Sequence, residues 1–276
     1  MNKLLLSALF FIASSTLSAQ GVVTIDNELF FGFVVQLLDE EKTAMITAKG
    51  KSMLPFIKNG EKVQLSKGEK YEAGDIVLAH LSMEKYILHR VISYSDTIVN
   101  LMGDGNLVGK EHCHPDSIKA VCKLKYDDKG NEIFLDSDCF KSRTELWQRC
   151  LSMRENLLSL YSSKNENEFW KDVFRTFITS EANVLLSIRP TYEIKKLGKE
   201  TILYSKDSKN VDFSSVITLN ESAEFLFLNM KGKVIGLDDI VNIFLHEYEV
   251  DKKTATKDCI DLLTQWFALG IIKIQQ

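Results

Sequence analysis

The sequence predicts an α+β protein with a mainly-β barrel at the N-terminus, a helical connector and a winged-helix-like module at the C-terminus. From Ala44 onward, short stretches of alternating polar and apolar residues are separated by glycines, which is typical of small β-barrels. Between Thr144 and Leu186, apolar residues recur at helical spacing. From Arg189 the pattern changes to three short strands and three helices, and Asn220 and Asp251 are expected to be the N-caps of the first and the third helix. We therefore expect a barrel domain over residues 22–138, a connector over 139–188 and a final module over 189–276.

Composition favours a polypeptide partner. With 276 residues and 45% hydrophobic content, the chain is long enough for two modest folded domains. The net charge of -4 gives no reason to expect nucleic-acid binding. The five cysteines show no repeated short spacing, and an odd number cannot all pair within one chain, so we expect no disulfide framework.

The N-terminus resembles an export signal. A basic start at Met1–Lys3 precedes the apolar run Leu4–Ile12 and then small polar residues up to Ala19. Residues 1–20 are therefore expected to be a signal peptide or a membrane anchor, which places the protein in the cell envelope or outside the cell. The alternative is a misassigned start, which would leave the protein in the cytoplasm.

Three short segments suggest nucleophilic catalysis. Ser52 lies in the turn Gly50–Pro55, where a rigid backbone can project its hydroxyl, and a serine needs a neighbouring base to become a nucleophile. His89, on an apolar strand, supplies an imidazole suited to that task. Asp104 lies in a Gly-Asp-Gly-Asn turn and could orient the imidazole.

These segments together resemble a known clan. Gly-x-Ser-Met-x-Pro, a strand with His-Arg-Val, and Gly-Asp-x-Asn, in this order, resemble the S24/S26 serine peptidases, which include signal peptidases and LexA-type self-cleaving repressors. A histidine base is similar to that of signal peptidases from the endoplasmic reticulum, archaea and sporulating bacteria. The resemblance runs from Val22 to Lys125. It implies that Ser52 is the nucleophile, His89 the general base and Asp104 the acidic partner.

Two departures from the clan pattern affect the predicted site. Many signal peptidases carry a serine two positions before the nucleophile, where this chain has Gly50. We therefore expect the oxyanion to be held by the backbone N–H groups of Ser52 and Gly50, and the substrate to contact Met53 and Pro55. The clan's second acidic pair is also missing, because Leu107–Lys110 stands in its place. These departures predict a slow or specialised site, or an inactive one.

Other residues favour structural interpretations. We predict no metal and no cofactor, because His112-Cys113-His114 lacks the matching ligand pair of a zinc site and is expected to be a loop. A helix after Asp26 or Asn27 is expected to pack on the barrel through a stripe of apolar residues. The stripe consists of Leu29, Phe30, Phe33, Val34, Leu37 and Leu38.

The C-terminal module resembles a second family. Arg189-Pro190, the segment Leu219–Ala223 before an aromatic-rich helix, and a last helix running into Gly270–Ile272 resemble the PqqD family. The resemblance covers Arg189 to Gln276. It implies binding of the leader segment of a ribosomally made precursor peptide, added as a strand to the edge of a sheet. The acidic helices of the module argue against DNA binding.

The two resemblances together predict a serine endopeptidase that processes a leader or signal peptide captured by the C-terminal module. Two alternatives stay open. The first is a non-catalytic protein that binds a precursor peptide and keeps the peptidase fold as a scaffold. The second is a signal peptidase of general specificity, which would need membrane anchorage.

Overall fold

The structure is a computed structural model that describes residues 27–68, 70–81, 85–127, 129–161, 164–206 and 217–275. The expected signal peptide or anchor, residues 1–20, lies outside the described residues. The chain is α+β as predicted, with a curled antiparallel β half-barrel, then helices, then a mixed region of helices and strands.

One antiparallel sheet forms the N-terminal half. Its strands are β1 (Ala44–Thr47), β2 (Lys62–Lys67), β3 (Ile76–Leu81), β4 (Lys85–Tyr94), β5 (Val99–Met102), β6 (Glu111–Cys113), β7 (Ile118–Tyr126) and β8 (Glu132–Phe134). Their order is β1-β2-β7-β3-β4-β5-β6, and β8 pairs with β7. Register shifts in the pairs β2–β7, β3–β7 and β4–β5 mark irregularities of the kind that increase strand bending and help a sheet to curl.

Helix α1 (Asn27–Asp39) packs on the sheet, but with fewer of its residues than predicted. Val34 and Leu38 are buried against the sheet. Leu29, Phe30 and Phe33 are exposed, so the predicted core stripe is wrong for its first half. Within the described ranges, no helix has both the length and the apolar character needed to cross a bilayer.

Three helices follow the sheet: α2 (Asp138–Arg149), α3 (Arg154–Tyr161) and α4 (Glu166–Ser180), with a 3-10 turn at Leu151–Met153 before α3. Ser137 caps α2 by accepting a hydrogen bond from the Phe140 N–H, and Asn165 caps α4 through the Glu168 N–H. The apolar faces of α2 and α4 meet around Trp147 and Trp170, which are fully buried. These helices confirm the helical character that was predicted here.

The described residues of the C-terminal region form two small sheets and three helices. Its strands are β9 (Leu185–Ile188), β10 (Tyr192–Leu197), β11 (Glu200–Ser205), β12 (Ile217–Leu219), β13 (Ile235–Gly236) and β14 (Ile272–Ile274), and its helices are α5 (Glu221–Met230), α6 (Leu237–Glu247) and α7 (Lys252–Ala268). The sheet orders are β10-β11-β12 and β13-β9-β14. The predicted N-caps Asn220 and Asp251 are confirmed, since their side chains accept backbone N–H bonds at the starts of α5 and α7.

Strand β9 corrects the end of the predicted helical stretch. Leu185–Ile188 is the central strand of a sheet, because it pairs with both β13 and β14, and its residues Leu186 and Ile188 are buried. Residues of the predicted connector thus contribute to the C-terminal fold.

A continuous hydrophobic core joins the two halves. Helix α2 contacts β14 directly, where Ser142 Oγ donates to the Ile272 carbonyl at 2.7 Å. The Arg189 guanidinium donates to Ser142 Oγ at 2.9 Å and to the Glu145 carboxylate at 3.2 Å. A Cβ at Gly270 would lie 2.4 Å from Cys139 N, so the backbones of these two regions touch.

Candidate active site

The serine turn, residues Gly50–Pro55, is held in place by its apolar residues. Ser52 is half-buried, whereas Met53 and Pro55 are buried. Lys125 Nζ donates to the Phe56 carbonyl at 2.7 Å, and the Tyr161 hydroxyl donates to the Pro55 carbonyl at 3.0 Å. The predicted substrate contacts at Met53 and Pro55 are therefore corrected: their side chains anchor the turn in the core.

The Gly-Asp-Gly-Asn turn packs directly on the serine turn. The Gly105 N–H donates to the Ser52 carbonyl at 2.7 Å. A Cβ at Gly103 would lie 2.5 Å from the Ser52 carbonyl oxygen, and one at Gly105 would lie 2.4 Å from the Lys51 carbonyl oxygen. Only residues without side chains allow this approach, which explains the two glycines.

His89 lies beside the same point. Its Nε2 is 3.0 Å from the position that a Gly103 Cβ would occupy, next to the Ser52 backbone. Its other nitrogen, Nδ1, is 3.1 Å from Oε2 of Glu111, and its side chain is only 7% exposed. No hydrogen bond joins Ser52 Oγ to the imidazole among the residues that the structure describes. The fold thus brings the serine turn and the histidine together, with Nδ1 of the ring held by a carboxylate.

Asp104 does not contact His89, which corrects its predicted role as the acidic partner. Its two carboxylate oxygens accept bonds from Arg90 Nε and Nη2 at 2.7 and 2.6 Å. Both side chains are almost fully buried. Arg90 also donates to the Gly74 carbonyl and stacks on the Phe56 ring. This bidentate pair fixes the turn to β4.

Strand geometry explains why His89 contacts Glu111 and not Asp104. Neighbouring residues on a strand point to opposite faces, so His89 and Arg90 cannot share a carboxylate. Val91 pairs with Leu101 and Leu101 with Glu111, which places Glu111 on the face of His89. Sequence reasoning missed Glu111. The available signal was its position in a strand that forms a hairpin with β5.

The two predicted oxyanion donors differ in their hydrogen bonds. The Gly50 N–H donates to Asn59 Oδ1 at 2.9 Å, so it is already engaged. The Ser52 N–H has no acceptor within the described part of the chain, which leaves it available to a substrate oxygen. Of the two predicted donors, only the Ser52 N–H could donate to an oxyanion without losing a hydrogen bond seen in the structure.

Helices α2 and α3 form the back of the site. Trp147 Nε1 donates to the Asp104 carbonyl at 2.8 Å, and Arg154 Nη1 donates to the Asn106 carbonyl at 2.9 Å. Burial lowers the pKa of Arg154, and the nearby Asp104 carboxylate opposes that shift.

The cysteines and the remaining histidines offer no second site. Burial raises the pKa of Cys122 and of Cys150 to about 12, so these thiols stay protonated. His112 lies on β6 and contacts Asn100, which corrects its predicted place in a loop. In the ranges that the structure covers, no group of three or more His, Cys, Asp or Glu residues could hold a metal ion.

The protein has a peptidase-type fold. A curled antiparallel sheet brings together a turn with a serine, a strand with a histidine and a glycine-rich turn. Comparison with family models gives the same class: residues 13–124 match the model described as Peptidase S24-like. Residues 200–272 match the model described as Coenzyme PQQ synthesis protein D (PqqD). No curated protein and no solved structure matches the chain significantly. The chain therefore combines a region that matches S24-like peptidases with a C-terminal region that matches PqqD, called the PqqD region below, as its motifs predicted.

Proposed function

We propose that this protein is a serine endopeptidase that removes a leader or signal segment from a polypeptide captured by its PqqD region. The observation that carries the proposal is the placement of His89, whose Nδ1 contacts Glu111 while its Nε2 lies beside the serine turn. A carboxylate on Nδ1 fixes the tautomer whose Nε2 can accept a proton.

The proposed reaction uses four groups. Ser52 Oγ attacks the scissile carbonyl carbon while His89 Nε2 takes the hydroxyl proton, and the Ser52 N–H donates to the developing oxyanion. The protonated His89 then gives its proton to the leaving amine, and a water molecule hydrolyses the acyl-serine by the same route. Glu111 stabilises the imidazolium throughout. The Ser52–His89 bond has to form as substrate binds, which is common because catalytic hydrogen bonds are often long in free enzymes.

The C-terminal region offers strand edges for capture of the substrate. In the sheet β10-β11-β12, the outer strands β10 and β12 each pair on one side only with the strands that the structure describes. An extended peptide can add to such an edge through main-chain hydrogen bonds. Tethering a substrate in this way raises its local concentration to the order of millimolar, which supports a site with few oxyanion donors.

Replacement of Ser52 by alanine tests the catalytic part. We expect Ser52→Ala to abolish cleavage of a co-expressed precursor peptide and labelling by a fluorophosphonate, while peptide binding measured by titration is unchanged. Ser66→Ala, which alters a half-buried serine on β2, is the matched control and should cleave normally. Equal cleavage by wild type and Ser52→Ala would refute the peptidase.

Hydrogen exchange tests the binding part. On addition of the precursor peptide, the amides of β10 or β12 should gain protection from hydrogen exchange. The amides of β6, an edge strand of the N-terminal sheet, should not change. Protection without any cleavage by the wild type would favour the non-catalytic peptide-binding protein. That alternative is supported by one observation, the engagement of the Gly50 N–H by Asn59.

The compartment forms a separate part of the proposal. The apolar run Leu4–Ile12 and the exposed Leu29 and Phe33 on α1 favour export or attachment to a membrane. N-terminal sequencing and fractionation of the native protein test it. An intact N-terminus on a protein found wholly in the cytosolic fraction would refute it.

A further inference from the structure

The Gly-Asp-Gly-Asn turn is held by two buried hydrogen-bond donors, and both lie beyond the S24-like match in the chain. Trp147 donates to the carbonyl of Asp104, and Arg154 donates to the carbonyl of Asn106. Their side chains are almost completely removed from solvent, with exposures of 1% for Trp147 and 3% for Arg154. A bond made inside the core is not exchanged for a bond to water, so it restricts the turn strongly.

The two donors support each other. The Arg154 guanidinium lies 5.2 Å from the centre of a Trp147 ring, and Arg154 Nη2 donates to the Trp147 carbonyl at 3.3 Å. Its polar contacts in the described part of the chain are to main-chain carbonyls, with no carboxylate within salt-bridge distance. A buried cation is costly to keep, and here it is directed at the backbone of the turn.

The turn that they hold sets the gap between the proposed nucleophile and base. Gly105 is bonded to the Ser52 carbonyl, and Gly103 lies against both the Ser52 backbone and His89 Nε2. A shift of this turn would therefore move both partners of the proton transfer. Displacements of about 1 Å at such a place are enough to change turnover by orders of magnitude.

Helix α2, which carries Trp147, is also fixed by the C-terminal region. Ser142 of α2 donates to the Ile272 carbonyl of β14, and Arg149 at the end of α2 donates to the Gln275 carbonyl. Helix α2 thus lies between the Gly-Asp-Gly-Asn turn and the PqqD region.

We propose that Trp147 and Arg154 are positioning residues of the active site, and that the C-terminal region supports catalysis through α2 in addition to binding peptide. This inference rests on the proposed peptidase function. It differs from tethering alone, which would raise local substrate concentration without changing the geometry of the site.

The main experiment compares Trp147→Phe with Trp170→Phe in the full chain. Both tryptophans are fully buried in the same core, but Trp170 Nε1 has no hydrogen-bond partner among the described residues. The two variants lose similar volume, and only Trp147→Phe loses a bond to the turn. We expect both to lower Tm, and Trp147→Phe alone to lower kcat by about 10-fold or more with KM unchanged. Equal kcat losses, or no loss in Trp147→Phe, would overturn the proposal.

A second pair keeps the test open if Trp147→Phe does not fold. Arg154→Lys keeps the charge but loses the planar group that reaches two carbonyls, whereas Arg175→Lys alters a partly exposed arginine on α4 that pairs with Asp261 and contacts neither turn. Arg154→Lys should lower kcat, and Arg175→Lys should not.

Amide exchange at Gly105 separates this inference from the proposed function, since it needs no cleavage. Faster exchange in Trp147→Phe than in Trp170→Phe supports positioning of the turn, even for a wild type that proves inactive. Unchanged exchange in Trp147→Phe contradicts it, even if the wild type is an active peptidase.

Discussion

His89 and Arg90 are adjacent on β4, yet their side chains leave opposite faces of the sheet and meet different carboxylates. His89 contacts Glu111, whose side chain is 28% exposed, and Arg90 contacts Asp104 in the core. The two acidic residues should therefore have separable functions, one in turnover and one in folding.

Glu111→Gln tests the first function. The amide keeps the shape but not the charge, so the proposed imidazolium loses its stabilisation and its favoured tautomer. We expect kcat to fall between about 10²- and 10⁴-fold with little change in KM or Tm. Glu132→Gln, on the exposed strand β8, is the control for loss of one strand carboxylate. Full activity in Glu111→Gln would exclude the residue from the site.

Asp104→Asn tests the second function. It leaves the Arg90 guanidinium buried without its counter-charge, and breaking a buried pair in this way costs about 3–5 kcal/mol. We expect a large loss in the free energy of unfolding, measured by urea denaturation. Wild-type stability with a selective loss of turnover would instead restore Asp104 as the acidic partner.

The local motifs were sufficient to predict that the turn of Ser52 and the side chain of His89 lie together, because each belongs to a short segment whose residue types are specific. The catalytic roles of both residues stay predictions. The partner of His89 was not predictable in the same way. It depends on strand register and on which face of the sheet each residue occupies. Asp104 is closer to His89 in sequence than Glu111 is, but it lies on the opposite face of the sheet, with Arg90.

The two turns of the site are elements whose packing depends on glycine. Gly105→Ala would place a Cβ 2.4 Å from the Lys51 carbonyl oxygen and so force the turns apart. We expect kcat to fall at least about 10-fold, together with a stability loss of about 1–3 kcal/mol. The measurements are steady-state kinetics and urea denaturation.

Gly32→Ala is the matched control for this prediction. A Cβ at Gly32, in α1, would meet nothing within 4 Å. Since alanine favours a helix interior over glycine, we expect unchanged kinetics and a gain of about 0.5–1 kcal/mol. Normal kinetics in Gly105→Ala would show that the close approach of the turns is not needed.

Helix starts were predictable because caps are local, as Asn220 and Asp251 show. Strand β9 was not, since its four residues adopt their conformation only between β13 and β14, which come from distant parts of the chain. The exposed start of α1 was also missed, because an apolar stripe in the sequence does not reveal how far a helix overlaps its sheet.

At the scale of the whole molecule, the peptidase-type sheet, the middle helices and the C-terminal helices share one core in the described residues. Two independent domains would unfold separately, whereas a shared core unfolds as one unit. We expect a single transition in differential scanning calorimetry of the full chain. We also expect no stable fragment from limited proteolysis near Arg189. Two resolved transitions would contradict this view.

The contact of Gly270 with Cys139 has a consequence for attempts to retarget this protein. A chimaera that exchanged the C-terminal region for another PqqD-like region would also need a residue without a side chain at that place, and a matching backbone before it. A donor region with alanine there would push α2 away from the sheet. Grafts should therefore be chosen by this junction first and by their ligand second.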